Sequence, residues 1–366
     1  MVFSTKMVTD QMDKVELTLI VPILNERAQL PEFFVNLNQQ QDIKLELVIC
    51  DGGSTDGSWE WLQQQDPDWV DLKILQCPAG RGRQLNCAAA IATGEWLLFL
   101  HVDSRFFDPL ALRKGLDFLL RVGSENVAGH FALKFRREDH SLPGGYYFYE
   151  WKARLGRPET IHGDQGFFLH YRLLKQIGDF CEELPAMEDT DFAERLRRVG
   201  QWQLLPAEIS TSARRFETEG LWQRQLLGAL IMCFRTIGWN RFFTMAPDVY
   251  RQQQESEKLL LAPFFQLIRK MFNELPIRER WRYWWLSGCY IRGHAWQLFF
   301  AADSRRAFRQ NLPVGTGNKS RLNFFEPVYD FLTDNLLGRF IATLLLRSWF
   351  ELTSLWLSRK EKKRVA

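Results

Sequence analysis

The sequence predicts an α/β fold, a mostly parallel sheet flanked by helices, followed by an aromatic-rich α-helical C-terminal extension. Three observations carry this. Apolar runs end on polar residues at three places: Leu17 to Ile23 leads into Asn25 and Glu26, Leu45 to Cys50 ends on Asp51 and a Gly-Gly-Ser turn, and Trp96 to Val102 ends on Asp103. Open α/β sheets build ligand sites where buried strands deliver polar residues at their carboxyl ends. Each run is followed by a helical pattern, and that alternation implies parallel strands joined by right-handed crossovers. Aromatic residues make up 14% of the chain, with 14 Trp and 29 Phe, and concentrate after residue 215, where a different kind of surface is expected.

Taken in order, strands are expected at about 16–23, 45–50, 72–76 and 95–101, with helices at about 28–40, 57–65 and 83–93. A helix at 108–121 and a strand at 127–135 follow. The Gly-, Pro- and Tyr-rich segment 141–163 reads as a long loop or short helices, the kind of segment that carries substrate contacts. A strand at 166–170 and helices at 171–178 and 190–199 complete the first domain. From about 216 the pattern turns helical, a polar stretch at 251–257 reads as a linker, and aromatic helices are expected at 258–273, 279–302 and 324–357. The expected domains are 14–252 and 253–366.

A chain of 366 residues fits two domains, or one large domain with an appendage. An apolar fraction of 46% and a charged fraction of 25% suffice for a sizeable core. A net charge of +3 is too small to argue for nucleic acid, and no nucleic-acid partner is expected. The six cysteines form no Cys-x-x-Cys pair, which argues against zinc. They read as small core residues of a protein from a reducing, cytoplasmic compartment. The start, Met1 to Asp13, lacks the long apolar stretch of a secretory signal and reads as a frayed leader. In the tail, Phe331 to Leu357 contains Asp334, Arg339, Arg347 and Glu351, and its longest uncharged apolar stretch is Phe340 to Leu346. That is far short of the roughly 20 residues that span a bilayer. A helical subdomain with a solvated basic end is expected; peripheral membrane contact through an interfacial helix is the alternative, because the chain ends Arg359, Lys360, Glu361, Lys362, Lys363, Arg364.

Four segments carry candidate chemistry. Asp51 to Gly57 follows a strand and opens a helix; its carboxylate suits a nucleobase or ribose and its glycines, Gly53 among them, permit close approach, though a plain Asp-Gly turn capped by Ser54 or Asp56 explains it equally. Cys77 to Asn86 interleaves Arg81 and Arg83 with glycines just before a helix, supplying bidentate donors and a positive helix end for a diphosphate. Asp103 at a strand end can ligate a divalent ion that also grips a diphosphate, or serve as a helix cap; His101, two residues earlier, alternates to the other face and is discounted. Glu188 and Asp189 open a helix, where the dipole alone accounts for carboxylates; the sharper reading makes one a general base for an acceptor hydroxyl. Asp191 and Glu194 read as helix-surface residues, and Arg214 and Arg215 either close on a diphosphate or cap a helix.

Together these segments resemble the family 2 glycosyltransferases, which have the Rossmann-like GT-A fold. The resemblance covers roughly 16 to 215, and its pieces run in the family's order: Val21 to Glu26, Asp51 to Gly57, the Asp103 strand end, then Glu188 and Asp189. It implies inverting transfer of a sugar from a nucleoside diphosphate sugar donor to a hydroxyl-bearing acceptor. Asp51 would hold the base, and Pro22, Asn25 and Glu26 would line the nucleotide pocket. Asp103 matches the last Asp of the family's Asp-x-Asp metal motif, which implies a divalent cation, Mg²⁺ or Mn²⁺. Asp189 matches the catalytic base, with Glu188 beside it. The runs Gly80 to Asn86 (with Gln84), Gly163 to Gly166 (with Asp164 and Gln165) and Thr211 to Phe216 look like one bacterial branch, often labelled arsenosugar-biosynthesis glycosyltransferases. Two departures stand out: His101 replaces the first Asp of the metal motif, and 253–366 has no counterpart in that branch.

Three rival readings frame the expectation. A polyprenyl-phosphate sugar synthase at the membrane surface would suit the aromatic tail. An inactive nucleotide-sugar-binding scaffold is disfavoured by Asp103 and Asp189. A nucleotidyltransferase would carry a Gly-rich, Lys-bearing loop after the first strand, where this chain has Pro22 to Glu26.

Overall fold

A computed structural model describes residues 15–138, 143–184, 186–251, 253 and 258–365. The expected leader and most of the expected linker at 251–257 lie outside the described residues. The chain divides into two compact units, Met1–Ser141 with Tyr149–Ser212, and Leu142–Phe148 with Ala213–Ala366. The boundary expected after residue 252 falls inside the second unit.

In chain order the first unit contains β1 (Leu17–Ile23), α1 (Leu30–Asn38), β2 (Leu45–Asp51), α2 (Ser58–Leu62), β3 (Asp71–Gln76), α3 (Arg81–Ile91), β4 (Trp96–Phe99), α4 (Ala111–Val122) and β5 (Val127–Arg136). Helix α5 (Gly144–Lys152) is divided between the units; β6 (Phe167–His170), α6 (Tyr171–Ile177), α7 (Glu188–Val199) and β7 (Gln201–Ser212) complete the first. The strands form one sheet in the order β3-β2-β1-β4-β6-β5-β7. Strands β1 to β4 run parallel, and β6 is antiparallel to both β4 and β5.

Side-chain alternation splits the core between two faces. Leu17, Leu19, Val21 and Ile23 of β1 pack on one face with Leu47 and Ile49 of β2; Ile20, Val48 and Cys50 pack on the other. Each such side chain contributes about 1.5–3 kcal/mol when fully buried. That two-sided burial is why these strands read as continuous apolar runs. The expected strands appear within a residue or two. The exception is β7, which sequence reasoning missed: its first half mixes polar and apolar residues that are unevenly buried, and Pro206 interrupts it. Proline is tolerated there because β7 is an edge strand, and because the pairing slips between His130↔Leu204 and Ala132↔Glu208, so that Pro206 sits in the bulge.

One buried carboxylate ties the amino ends of the strands together. Glu46 of β2 is fully buried and accepts from Thr18 Oγ1 (2.5 Å), from the Thr93 backbone N–H (2.8 Å) and hydroxyl (2.7 Å), and from Lys73 Nζ. Thr18 Oγ1 in turn accepts from Gly94 N–H at 2.9 Å. Glu46 thereby links β1, β3 and the turn into β4 to its own strand. Burial pushes its carboxyl up, but Lys73, Thr18 and Thr93 outweigh burial and hold it below the ordinary carboxylate range. A depressed native value stabilises the fold above the unfolded value and ceases to do so as pH falls through the native one. Glu46→Gln should therefore lower stability by about 2 kcal/mol at neutral pH. In urea denaturation the deficit should be complete above pH 4.5, the carboxyl's unperturbed value, and shrink as the pH is lowered further.

The second unit is helical: α8 (Arg214–Glu219), α9 (Leu221–Thr236), α10 (Arg241–Arg251), α11 (Ala262–Glu274), α12 (Ile277–Gly293), α13 (Trp296–Arg309), α14 (Ser320–Thr333) and α15 (Leu336–Val365). Many of its aromatics are core: Phe272 stacks on Trp284 at 4.3 Å, and Phe265 on Phe350 at 5.0 Å. Two expected helices are each split. His294 ends α12, its Nδ1 lying 2.7 Å from the Tyr290 carbonyl oxygen. Asn335 caps α15, its side-chain oxygen accepting from Gly338 N–H at 2.9 Å. Against the expectation of a tail that falls far short of a span, α15 runs unbroken through its charges, and Leu336–Lys360 is long and apolar enough to cross a membrane by length and composition.

Candidate active site

The carboxyl ends of β1 and β2 are interlocked. Asn25, at positive φ (56°), donates its backbone N–H to Ser54 Oγ (2.8 Å), and its side-chain oxygen accepts from Thr55 N–H (2.8 Å). Glu26 N–H donates to Ser58 Oγ (3.0 Å) and Arg27 N–H to Asp56 Oδ2 (2.9 Å). Asp51 is buried and accepts from the backbone N–H groups of Gly53 and Ser54, from Ser54 Oγ and from Gln76 Nε2. The turn reading of this motif thus accounts for every one of these partners but Gln76, which reaches Asp51 from β3. Pro22 is partly exposed on β1 opposite Cys50, and Gly53 takes a positive φ of 90°.

Beneath these turns lies Gln84, expected to bind the donor. It is buried, and its Nε2 donates to the carbonyls of Ile23 (2.7 Å) and Cys50 (2.8 Å), splicing the two strand ends. A Cβ on Gly52 would meet this amide at 3.0 Å, so the glycine is needed for close approach. The donor-binding expectation is corrected for Gln84: both amide hydrogens are used inside the protein. Arg83 makes an exposed ion pair with Glu182 at 3.0 Å. Asn86 bonds the loop at Phe180 through its N–H (2.9 Å) and carbonyl (2.9 Å), and reaches Glu182 (3.0 Å). Gln165 is buried and donates to the Thr160 carbonyl at 2.8 Å, a supporting role in its own turn.

Arg81, the first residue of α3, stands differently. Its side chain is half-exposed, and its Nε lies 3.6 Å from Glu188 Oε1. Around that contact a cleft is lined by Arg81, His101, Gly163, Phe180, Glu188 and Asp189. The placement of His101 corrects its dismissal on alternation. Strand β4 ends at Phe99, so period-2 alternation no longer governs His101, and its ring turns into the cleft. A Cβ on Gly163 would come within 2.9 Å of His101 Nε2 and 3.3 Å of Asp189 Oδ2, which bounds how close those groups lie to one backbone position.

The start of α7 aims the carboxylates. Met187, just before it, takes a left-handed conformation (φ 70°), which costs a non-glycine residue about 1–2 kcal/mol. Strain of this sort persists where surroundings enforce it and clusters at functional sites. Asp189 Oδ2 accepts from Gly163 N–H (2.8 Å), and Oδ1 from Thr190 N–H (2.7 Å); His162 Nδ1 lies 3.1 Å from the Thr190 hydroxyl. Burial pushes the Asp189 carboxyl up, but His162, the Gly163 N–H, Arg81 and His101 outweigh it and hold Asp189 below the ordinary range. Its neighbour Glu188 is pushed the opposite way, by burial and by the Asp189 charge. Asp191 and Glu194 are helix-surface residues as expected, paired with Arg195 (2.7 Å) and Arg197 (3.5 Å).

Asp103 Oδ2 accepts from Thr211 Oγ1 (3.1 Å) and Ser212 N–H (3.3 Å), so the missed strand β7 positions it. Asp164 is pushed up to about 6 by burial, with His162 opposing and Asp189 and Asp103 adding to the rise. Its Oδ1 is buried with no hydrogen-bond partner. Asp164 is raised by two neighbouring carboxylates and keeps an orphaned oxygen, a pair of features that a hard cation would relieve. Among the described residues no three His, Cys, Asp or Glu side chains form a ready-made metal cage. That suits Mg²⁺ or a similar ion, which is commonly held by one or two carboxylates together with substrate phosphates and water. Arg214 and Arg215 open α8 in the second unit.

A mostly parallel sheet whose strand ends gather a turn-bound Asp, a helix-opening arginine and a cluster of carboxylates defines a glycosyltransferase of the GT-A fold. The model of glycosyl transferase family 2 matches residues 18–176. A PGL/p-HBAD biosynthesis glycosyltransferase of Mycobacterium tuberculosis is 31% identical over 178 residues, 48% of this chain and 67% of the relative. An uncharacterized glycosyltransferase of Haemophilus influenzae is 23% identical over 49% of this chain and 61% of its own length. The chain belongs to glycosyl transferase family 2. The arsenosugar label receives no support from these names. Among solved structures, S. aureus TarS 1-349 in complex with UDP-GlcNAc is 17% identical, covering 83% of this chain and 96% of that one with a TM-score of 0.47. The Pyrobaculum calidifontis mannosyltransferase PcManGT, in complex with GDP-Man and Mn²⁺, is 17% identical over 92% and 88% with a TM-score of 0.44. Likeness at that level bears on neither donor nor metal.

Gln84→Leu should expose the dependence of the site on its strand splice. The Cys50 carbonyl loses this donor, and the Ile23 carbonyl keeps the Gly52 N–H at 2.9 Å, so urea unfolding should show a loss of about 1–3 kcal/mol.

Proposed function

We propose that this glycosyltransferase moves a sugar from a nucleoside diphosphate donor to an acceptor hydroxyl with inversion, using Asp189 as the base. The observation that carries the reading is the split between neighbours: Asp189 is held ionised by two backbone N–H groups and nearby cations, while Glu188 is pushed toward its protonated form. Carboxyl pairs whose environments push them apart mark acid–base assignments. Asp189 takes the proton of the acceptor hydroxyl; that oxygen attacks the anomeric carbon from the face opposite the diphosphate; and the bond from the anomeric carbon to the diphosphate oxygen breaks. Arg81 and the amino end of α3 face the charge that develops on the leaving group. Asp51, Pro22, Asn25 and Glu26 bound the end of the sheet where the base and ribose would sit. Arg214 and Arg215 are carried over as diphosphate contacts on resemblance alone.

Asp103 and Asp164 would hold a divalent cation, Mg²⁺ or Mn²⁺, on the strength of the orphaned Asp164 oxygen. When bound, such an ion neutralises diphosphate charge. The scattered cysteines favour a reducing, cytoplasmic setting. The acceptor is a hydroxyl compound, either soluble or lipid-linked. A scaffold that has lost turnover is disfavoured, because strain at Met187 and the hydrogen bonds to Asp189 keep a costly geometry that binding alone does not need.

Thermal melting against UDP-, GDP- and TDP-sugars, with and without Mn²⁺ or Mg²⁺, tests the donor class. One nucleotide should raise the melting temperature, more so with metal, and no shift with any would count against the proposal. Asp189→Asn should keep that shift and lose turnover by roughly two to four orders of magnitude; near-normal turnover would remove the base assignment. Asp103→Ala should weaken donor binding only when metal is present. Calorimetric affinities that are equal with and without Mn²⁺ in the unaltered protein would remove the metal role.

A further inference from the structure

Helix α15 is built inside out. Its polar positions face the bundle of the second unit: Thr343 and Ser354 are buried beside Phe350 and Leu357, Arg347 lies over the Trp281 ring at 5.2 Å, and Glu351 pairs with Arg269. The opposite face is apolar and exposed. Leu337, Ile341, Leu345, Leu352 and Trp356 recur at helical spacing and are 68%, 47%, 65%, 68% and 49% exposed. Neighbouring α14, which packs on α15, carries a stripe of its own, with Phe324 65%, Val328 44% and Phe331 87% exposed. Isolated exposed apolar residues need no explanation, but a contiguous band across two helices marks a binding surface.

The chemistry beside the band indicates what covers it. Arg305, Arg306, Arg309 and Arg321 line an open groove of about 590 Å³ between α13 and α14, with Leu298 at its edge, 72% exposed. Among the described residues, none of these arginines forms an ion pair. Arg321 sits three and four residues before Phe324 and Phe325, on the same face of α14, so groove and band adjoin. The end of α15 adds Arg359 and Lys360, with Lys362, Lys363 and Arg364 beyond them in sequence. We propose that this surface seats on an anionic lipid bilayer, with the α14–α15 band in the upper acyl layer and lipid phosphates held by the arginine groove. Aromatic and aliphatic residues bordered by cations are the pattern of an interfacial helix. A second copy of the chain is a poorer occupant, because a twofold contact would set one arginine groove against another. Crossing the bilayer is excluded by packing: α15 would take with it α12, which bears Arg278, Arg280 and Arg282, and the Arg269–Glu351 pair. This inference does not depend on the roles given to Asp189 or the metal.

The test is flotation of the full chain with vesicles of phosphatidylcholine alone and of phosphatidylcholine mixed with phosphatidylglycerol. The protein should float with the mixed vesicles and not with the neutral ones. The combined Arg305→Gln, Arg306→Gln and Arg309→Gln variant should bind mixed vesicles roughly a hundredfold more weakly, at about 1 kcal/mol per cation. The Leu337→Ser, Ile341→Ser, Leu345→Ser and Leu352→Ser variant should lose flotation while its circular-dichroism melt stays cooperative, since every altered side chain is exposed. Failure of the unaltered chain to float, flotation of the serine variant at the original level, or indifference to vesicle charge and to the arginine changes would each overturn the proposal. Resistance of the bound chain to alkaline carbonate would overturn it in favour of a spanning helix.

Discussion

The whole site hangs on the closure of two strand ends. Strands β1 and β2 run parallel, so their carboxyl ends emerge side by side, with the Ile23 carbonyl accepting from Gly52 N–H at 2.9 Å and the Cys50 carbonyl beside it. Gln84 supplies donors to both, at 2.7 and 2.8 Å, from a helix whose first residue is Arg81. One amide therefore fixes the distance between the Asn25 turn, the Asp51 turn and the arginine that faces the cleft. The turns add cross-links of their own, so that Asp51, Asn25 and Glu26 form a single rigid rim. At the opposite edge of the sheet Glu46 ties the amino ends in the same way. The parallel sheet is clamped at both ends by buried side chains, and the ligand edge is free to carry unpaired chemistry.

That chemistry is a problem in electrostatics. Asp103, Asp164, Glu188 and Asp189 crowd one region, offset by His162, Arg81 and His101 and, beside Asp103, by Arg136. The protein meets the repulsion unequally. Asp189 receives backbone N–H groups on both oxygens and stays ionised, whereas Asp164 and Glu188 are pushed toward protonation. The carboxyls are thereby made chemically distinct. Both Asp189 oxygens accept backbone N–H groups, and Asp164 keeps a buried oxygen without a hydrogen-bond partner. The left-handed Met187 is the backbone cost of presenting Glu188 and Asp189 together at the mouth of α7.

The second unit follows a different rule. Its aromatics serve two ends that sequence composition cannot separate. One set stacks into a core, as Phe272 on Trp284, and the other lies outward on α14 and α15. Counting charges along the tail suggests an apolar run too short to span a bilayer, because a charge reads the same in sequence whether it faces solvent or a partner. In the fold Arg347 and Glu351 have partners on the bundle, and the apolar residues are left outside.

The alternation of strands and helices through β6 and the polar residues at the carboxyl ends of β1 and β2 were legible in the chain itself. Burial and side-chain period act over a few residues, so a local window contains the signal. What required the tertiary structure was every fact that depends on a partner distant in sequence. Gln84 reads as a donor-binding residue in the chain, but Ile23 and Cys50 occupy its amide in the fold. Strand alternation sets His101 aside, but β4 ends at Phe99, two residues short of the expected end at 101. β7 was invisible because its stability comes from pairing with β5, not from its own composition. The sequence determined which elements form, through local periodicity; the long-range packing decided which polar groups remain available for chemistry, because a hydrogen-bonding group is only as free as its nearest partner allows.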